Sequence, residues 1–407
     1  AKFFRAICYF ELTTLWGTPP LVDRVLKNSE EYKVPNSTAE QLWKFMETDL
    51  TEAITSGKLT SKTSLEDRDG GTRATLEAAR CLLGKIYLYQ EKYTDAKSEL
   101  EKVISSGKYD LIADVSTFYH PASAGCKEYV LECVRHYDPS NMYSQEGWFG
   151  ILANWGFGYG FIAGPEASMH YKFNTTSGYS YFNPSKSLYD AFVAEEGADG
   201  YRLNAWIRTW EQVIAMNIAV NTTTNKYASE GYFRLKWLAS TDDEFVGYWC
   251  GNQSNTPVIR YADVLLMAAE ACLQAGDQAG ADEYLGRVRD RARLPRKSHV
   301  TLSDIKLERR LELAMEGMRF QDLKRWGDAP AVLADKGKKL PTFQIVPDPN
   351  NDLTTAAGIY NARYTTKTTY VDNEKSLAGW TPNRDEWLPF PENELEVNSN
   401  LKQNPGY

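Results

Sequence analysis

Apolar residues recur three and four positions apart along several stretches of this chain, a period that predicts helices. In residues 1–16, Phe4, Ile7, Cys8 and Leu12 fall on one face, and Gly17 with Pro19 and Pro20 stops the run. Ser37-Thr38-Ala39-Glu40 has the form of a capping box and opens a second helix, with Leu42, Met46, Leu50, Ala53 and Ile54 inward and Gly57 at its end. Arg73 to Gln90 and Thr94 to Ser105 predict a helical hairpin closed by Gly107. In a last helix, 303–326, Leu307, Leu311, Ala314, Met315 and Met318 form an apolar stripe beside an acidic row of Glu308, Glu312 and Glu316. Left bare, that row repels itself. Arg309 lies three residues before Glu312 and Arg319 three after Glu316, so both are placed to pair with it. An interior ion network of this kind is more often structural than catalytic.

The first hairpin carries Leu83-Gly84-x-x-Tyr87 and then Ala96-x-x-x-Leu100, the small/large pattern of a tetratricopeptide unit. A shift of 185 residues places Gly84 on Ala269, Ala96 on Ala281, Leu100 on Leu285 and Val103 on Val288, which predicts a second hairpin. Two hairpins so far apart are not expected to stack as a simple tandem array, so the helices at 1–16, 38–56 and 303–326 are expected to complete the stack. A generic helical hairpin with chance similarity is the alternative. The predicted fold is mainly α: tetratricopeptide-type hairpins forming a superhelical scaffold, plus an irregular, loop-rich and aromatic-rich region with a few short strands. We expect one domain over 1–407, with the scaffold at 1–109 and 257–327, the irregular region at 110–256 and a loop-rich C-terminal segment at 328–407.

Residues 137–185 break the helical period. Gly147-Trp148-Phe149-Gly150 is followed by Trp155-Gly156-Phe157-Gly158-Tyr159-Gly160-Phe161, and glycines alternating with aromatics suggest loops that hold rings at a surface. Gly231 to Leu238 alternates as a strand does, and 348–379 is polar and reads as long loops.

Composition narrows the function. The chain has 407 residues and a formal net charge of -8, which argues against nucleic acid, whose phosphates demand a basic face. No apolar run is long enough to span a bilayer. Four histidines show no ligand spacing, and the six cysteines form no CxxC pair. Cys8, Cys81 and Cys272 read as small buried hydrophobes, while Cys126 and Cys133 are placed to pair or to stay free. Aromatics make up 13% of the residues, with 25 Tyr and 11 Trp, more than a helical core needs. Sugar rings present flat apolar C–H faces, so a glycan binder offers Trp and Tyr faces beside polar side chains for the hydroxyls. Trp148, Trp155 and Tyr159, with Asn154 as polar partner, form the first candidate platform; Tyr248 and Trp249, followed by Asn252 and Gln253, form the second. The competing reading makes these rings the core of the irregular region. Trp16, Trp43 and Trp326 lie on apolar helix faces or ends and read as core, and Asp263 and Glu270 are placed to pair with Arg260 or the arginines of 308–325.

Residues 308–327, ERRLELAMEGMRFQDLKRWG, resemble the ERR-x-EL-x-x-EG-x-RF-x-DL-x-RWG signature of the SusD/RagB family of bacterial surface nutrient-binding lipoproteins. Val258 to Ala271 resembles the family's IRYADVLLMYAEA helix, and Trp387 to Tyr407 its NPNLKQNPGY ending. Asn183-Pro184-Ser185 through Phe192 resembles its PS-x-x-L-x-x-AF element. Asp199-Gly200-Tyr201-Arg202 stands for its D-x-R with one extra residue, and about 140–185 matches no family motif. The resemblance implies a non-catalytic protein, lipid-anchored at the cell surface of the outer membrane, that captures oligosaccharide or polysaccharide. Its implied partner is a SusC-like TonB-dependent transporter. It also implies that the lipoprotein signal, the lipid-bearing cysteine and a further N-terminal stretch lie outside this chain. No cofactor is implied; a structural calcium is compatible with such proteins, and no loop here has the spacing that would assign one. Capture of peptides, an α-helical glycoside hydrolase and a tetratricopeptide interaction scaffold remain as competing readings.

Overall fold

The computed structural model describes residues 1–134, 183–209, 211–212, 226–227, 229–236, 255–352, 354–355, 358, 363–374 and 378–407. Four helices come first: α1 (Lys2–Trp16), α2 (Ala39–Thr55), α3 (Leu76–Tyr89) and α4 (Tyr93–Ile104). The capping box of α2 is real but begins one residue later than predicted: Thr38 accepts from Gln41 N, and the Gln41 side chain answers the Thr38 N–H. Helix α1 stops at Gly17, whose φ of 79° favours glycine and whose face lies against the ring of Trp387.

The inward face of α1 corrects the sequence reading. Phe3, Ala6, Tyr9 and Phe10 are buried, while Phe4 is 57% exposed and Cys8 and Leu12 also face outward. Both sides of this helix are apolar, and the side with the larger ring area wins. Phe10 packs edge-on against Trp43 and Tyr89, and Tyr9 against Phe45. Trp43 and Trp326 are half-buried, and the Trp16 indole donates to Pro389 O at 3.0 Å. Cys81 and Cys272 are buried as expected, and Cys126 and Cys133 are free thiols.

Beyond α4 the chain forms β1 (Tyr129–Cys133), α5 (Lys186–Glu196), α6 (Tyr201–Trp206), β2 (Ile207–Thr209), β3 (Lys226–Tyr227), β4 (Tyr232–Arg234) and β5 (Thr256–Arg260). It then returns to helices: α7 (Tyr261–Gln274), α8 (Gln278–Arg291), α9 (Leu302–Glu312), α10 (Arg319–Arg325) and α11 (Ala329–Val332). The second hairpin, α7–α8, lies where the internal repeat placed it. Helix α4 packs directly on α7, so the two hairpins are neighbours in space despite their distance in sequence, contrary to the expectation from their spacing. Helices α1 and α2 extend the stack on one side and α9 on the other. Gly84 explains the close approach within the first pair: a Cβ there would meet Leu100 Cγ at 2.8 Å.

The helix expected over 303–326 is broken. Helix α9 ends at Glu312, Met315 and Gly317 take positive φ values of 65° and 83°, and α10 restarts at Arg319. Glu316 therefore leaves the helical row, and its partners differ from those its spacing suggested. The strand read over 231–238 is the short β4. The stretch read as loops over 348–379 contains β7 (Tyr364–Asp372), paired antiparallel with β6 (Lys339–Pro347), whose other edge holds β3. Four of its nine residues are threonine, and β-branched side chains suit an extended ladder even where the polarity reads as loop. The C-terminal segment, which includes α12 (Glu392–Val397), clasps the start of the chain. Asn404 Nδ2 donates to Trp16 O at 3.0 Å and Leu388 O at 2.7 Å, and Asn398 and Asn400 donate to Val34 O and Lys33 O.

Candidate functional site

Trp148, Asn154, Trp155 and Tyr159 lie in 135–182, and Tyr248 and Trp249 in 237–254, both outside the described residues. What the structure does place is the base from which both segments spring. Strands β1 and β5 pair antiparallel with Cys133 opposite Thr256, so the first segment departs and the second returns at the same end of one two-stranded ribbon. Asn255 Nδ2 donates to Glu132 Oε2 at 3.0 Å across that end. The remaining roots are Pro184–Ser185, where Ser185 caps α5, and Lys236, which follows β4.

These roots are tied to the helices by a buried ionic network. Arg260, the last residue of β5, sends Nη1 to Glu128 Oε1 at 2.7 Å and to Glu312 Oε1 at 3.0 Å, and Nη2 to Glu316 Oε1 at 2.7 Å. Arg291 of α8 meets Glu128 at 3.1 Å and also pairs with Glu312. Arg202 of α6 sends Nε to Glu196 at 2.7 Å, and its Nη1 reaches Glu308 and Glu312. Arg289 joins Glu308 at 3.1 Å. Lys236 donates to Glu316 at 2.5 Å and to the carbonyls of Glu312 and Ala314, with its ammonium 3.8 Å from the centre of the Trp206 ring. Five cations (Arg202, Lys236, Arg260, Arg289, Arg291) thus face five buried carboxylates (Glu128, Glu196, Glu308, Glu312, Glu316), a balanced core at whose edge Arg289 also meets Glu195 at 2.6 Å and Lys297 reaches the same acid at 3.3 Å. Buried charge persists only when paired and hydrogen-bonded, and this balance supplies both conditions.

The carboxylates respond to their places in the cluster. Burial raises the pKa of Glu128 and Glu196 against the pull of their arginines. At Glu312 and Glu316 burial is again the largest influence, but the surrounding cations outweigh it and hold both below the ordinary range. Burial depresses the Lys236 ammonium to about 8.

A second cluster lies between α7, α9 and α10. Arg309 reaches Asp263 at 2.7 Å and Asp322 at 2.9 Å; Arg325 reaches Asp322 at 2.9 Å and, through Nη2, Glu270 at 2.7 Å. The Trp326 indole also donates to Glu270, and Lys85 stands 3.8 Å from Asp263. Asp263 and Glu270 are therefore staples, as their spacing suggested. Arg309 does not take Glu312, however, and Arg319 does not take Glu316, because Arg260 and the residues beside it already occupy those acids. Sequence reasoning missed Glu128, Glu196, Lys236, Arg289 and Arg291. They lie far apart in the chain, and no local spacing marks them.

This arrangement holds elements in register. It offers no exposed carboxylate pair, since each acid of the two clusters is held by a cation. Among the described residues, one group has metal-like donors: atoms of Glu101, Cys272 and Asp277 lie within 4.8 Å of one another. The Lys97 ammonium stands 2.6 Å from Asp277 and 3.9 Å from Glu101, where a cation would sit, and burial with the two acids pushes the Cys272 thiol up to about 12. A protonated thiol and two carboxylates that share one lysine fit neither the thiolate chemistry of zinc nor the six to eight oxygens of calcium.

Comparison with known proteins agrees with the fold. A model of the SusD family matches residues 127–407. A SusD-like protein of Bacteroides ovatus is 24% identical over 436 aligned positions, covering all of this chain and 73% of that protein. Among solved structures, a laminarin binding SusD-like protein shares 28% identity with a TM-score of 0.75, covering 100% of this chain and 77% of its own. Surface glycan-binding protein A from Bacteroides thetaiotaomicron, in complex with laminarihexaose, shares 23% identity with a TM-score of 0.71, covering 99% and 77%; at that identity the likeness is one of fold.

Proposed function

The chain belongs to the SusD family, and from that premise we propose that it captures an oligosaccharide or polysaccharide at the cell surface without cleaving it. The observation that carries this reading is the likeness, along the whole chain, to a laminarin binding protein of the same fold at 28% identity. Two further observations support it. The candidate ring-bearing segments spring from a base clamped by charge pairs, which suits rings held in fixed positions for stacking. The buried carboxylates are spent on arginines, which favours capture over hydrolysis, where two acids must face each other across a cleft.

In this reading Trp148, Trp155 and Tyr159 stack on sugar rings beside Asn154, with Tyr248 and Trp249 as the second platform. Residues 1–109 and 257–327 serve as scaffold, 110–256 as ligand region and 328–407 as the closing segment. The protein is anchored in the outer membrane by an N-terminal lipid. It passes its glycan to a SusC-like TonB-dependent transporter, with the stacked helices as docking face.

Native affinity electrophoresis against plant, host and microbial polysaccharides tests the reading, with a Trp148→Ala, Trp155→Ala double variant alongside. Retardation by one glycan class that the variant abolishes supports both function and site. Retardation that survives in the variant moves the site toward Tyr248 and Trp249. No retardation by any polymer overturns glycan capture.

A further inference from the structure

Three tyrosines from three separate elements meet around one carboxylate. Tyr189 on α5 and Tyr232 on β4 stack with ring centres 4.5 Å apart and planes 27° from parallel. Tyr370 on β7 joins them through Glu230, which lies two residues before Tyr232. Its hydroxyl donates to Glu230 Oε1 at 2.6 Å, and the Lys186 N–H, in the first turn of α5, donates to Glu230 Oε2 at 2.6 Å. One side chain thus ties α5 and β7 to the start of β4. Along α5, Lys186, Tyr189 and Asp190 share a face at helical spacing, and the Lys186 ammonium reaches Asp190 at 2.6 Å. All six residues belong to the described parts of the chain.

The cluster is fixed at its base and open at its rim. Tyr189 and Tyr232 are half-buried and pack against the core group that contains Phe192, Leu203 and Trp206. Tyr370 is 49% exposed, and Lys186 and Asp190 face solvent. Packing accounts for the inner edges of the stacked pair and leaves the outer groups unexplained. Among the described residues, the Tyr189 and Tyr232 hydroxyls make no hydrogen bond, and the Lys186 ammonium bonds only to Asp190. Rings held by a packed base offer flat apolar area at little cost in conformational freedom. The groups beside them both donate and accept: two phenol hydroxyls, an ammonium and a carboxylate. A sugar presents the matching surface, an apolar C–H face bordered by hydroxyls that also donate and accept. Charge narrows the class further. Glu230 and Asp190 outnumber Lys186, and the chain as a whole carries -8, so an anionic polymer is repelled.

We propose that Tyr189, Tyr232 and Tyr370 form an additional surface platform for a neutral glycan, with Lys186 and Asp190 as partners for its hydroxyls and Glu230 holding the rings in place. This rests on the glycan-capture reading, adds a site to it and uses none of the candidate rings at 148–159 or 248–249.

The test is affinity electrophoresis with a neutral β-glucan, starch and galactomannan, and with polygalacturonate as the acidic control. Tyr370→Ala removes the exposed ring, and Tyr370→Phe keeps it. A Tyr189→Phe, Tyr232→Phe double variant keeps the stack and removes both free hydroxyls. All three are checked for an unchanged thermal midpoint. The proposal expects at least one neutral polymer to retard wild type. Tyr370→Ala and the double variant should each weaken that retardation by about threefold to tenfold, and Tyr370→Phe by less than Tyr370→Ala. Neutral retardation that Tyr370→Ala and the double variant leave intact overturns the platform while glycan capture stands. Retardation by polygalacturonate alone overturns the neutral class. Equal losses in Tyr370→Ala and Tyr370→Phe overturn stacking at this ring, because they assign its effect to the bond that holds Glu230. If no polymer binds, glycan capture fails and the platform with it; retention of an oligolysine by wild type but not by Tyr370→Ala would then reassign the rings to a cationic peptide.

Discussion

Arg260 and Glu128 meet at 2.7 Å with both side chains closed off from water, one ending β5 and the other immediately preceding β1. The same guanidinium reaches Glu312 and Glu316, so one side chain joins the ribbon that carries both candidate segments to the turn after α9. Removing it takes a cation from three buried acids at once and leaves the balanced core with an excess of negative charge. Arg260→Met is expected to lower the unfolding free energy by about 3–5 kcal/mol, the range for breaking one side of a buried pair. Adding Glu312→Gln restores the balance of charge and should recover part of the loss, a coupling that a double-mutant cycle in urea reads directly. A cost below about 1 kcal/mol for Arg260→Met would show that the network does not hold the ribbon in place.

Gly84 marks the contact between α3 and α4. A Cβ at this position would lie 2.8 Å from Leu100 Cγ and 3.0 Å from Cδ2, closer than side chains pack. Alanine gains helix propensity of about 1 kcal/mol and loses a similar amount to the clash, so Gly84→Ala is a poor probe. Gly84→Val cannot be absorbed in that way and is expected to cost about 2–3 kcal/mol by overpacking, measured as a shift of the urea midpoint. An unchanged midpoint would mean that the two helices are not held at this distance.

The repeat was legible because Gly84, Ala96 and Leu100 and their counterparts Ala269, Ala281 and Leu285 are local signals, each set by a contact with the neighbouring helix. Recognition of the family rested on equally local strings. The ion network was legible only in part. The acidic row at 308–316 announced that cations were needed, yet spacing offered Arg309 and Arg319, which lie near in sequence, whereas the fold supplies Arg202, Lys236, Arg260 and Arg291. Long-range charge pairing leaves no period in the chain. The face of α1 was misread for a different reason: apolar residues occupy both sides, and only the ring contacts of Tyr9 and Phe10 decide which side turns inward. Strand β7 was missed because threonine reads as polar before it reads as β-branched.

Lys236 gives the network a dependence on pH opposite to that of a lysine whose partners raise its pKa, and in a more alkaline window than the paired acids. Its ammonium is fully buried among Glu316, the Glu312 carbonyl, Arg260, Tyr119 and the Trp206 ring, and burial lowers it from 10.5 to about 8. A lysine depressed in the folded state binds its proton more tightly when the chain unfolds. Between about pH 8 and 10.5 the unfolded chain therefore carries more protons at this position, and stability rises with pH across that window. Below pH 8 the cost of keeping the charged form buried is present in full; above 10.5 it is gone. Other groups titrate over the same range, but they do so in the variant as well, so the difference between wild type and Lys236→Met isolates this one. That difference should move in favour of wild type by on the order of 3 kcal/mol from pH 8 to 10.5, since each tenfold change in proton affinity is worth about 1.4 kcal/mol. Urea midpoints taken at intervals of about half a pH unit would follow it. A flat difference would place the Lys236 ammonium in contact with water, and a difference that moves against wild type would mean that Glu316 holds the charged form more strongly than burial opposes it.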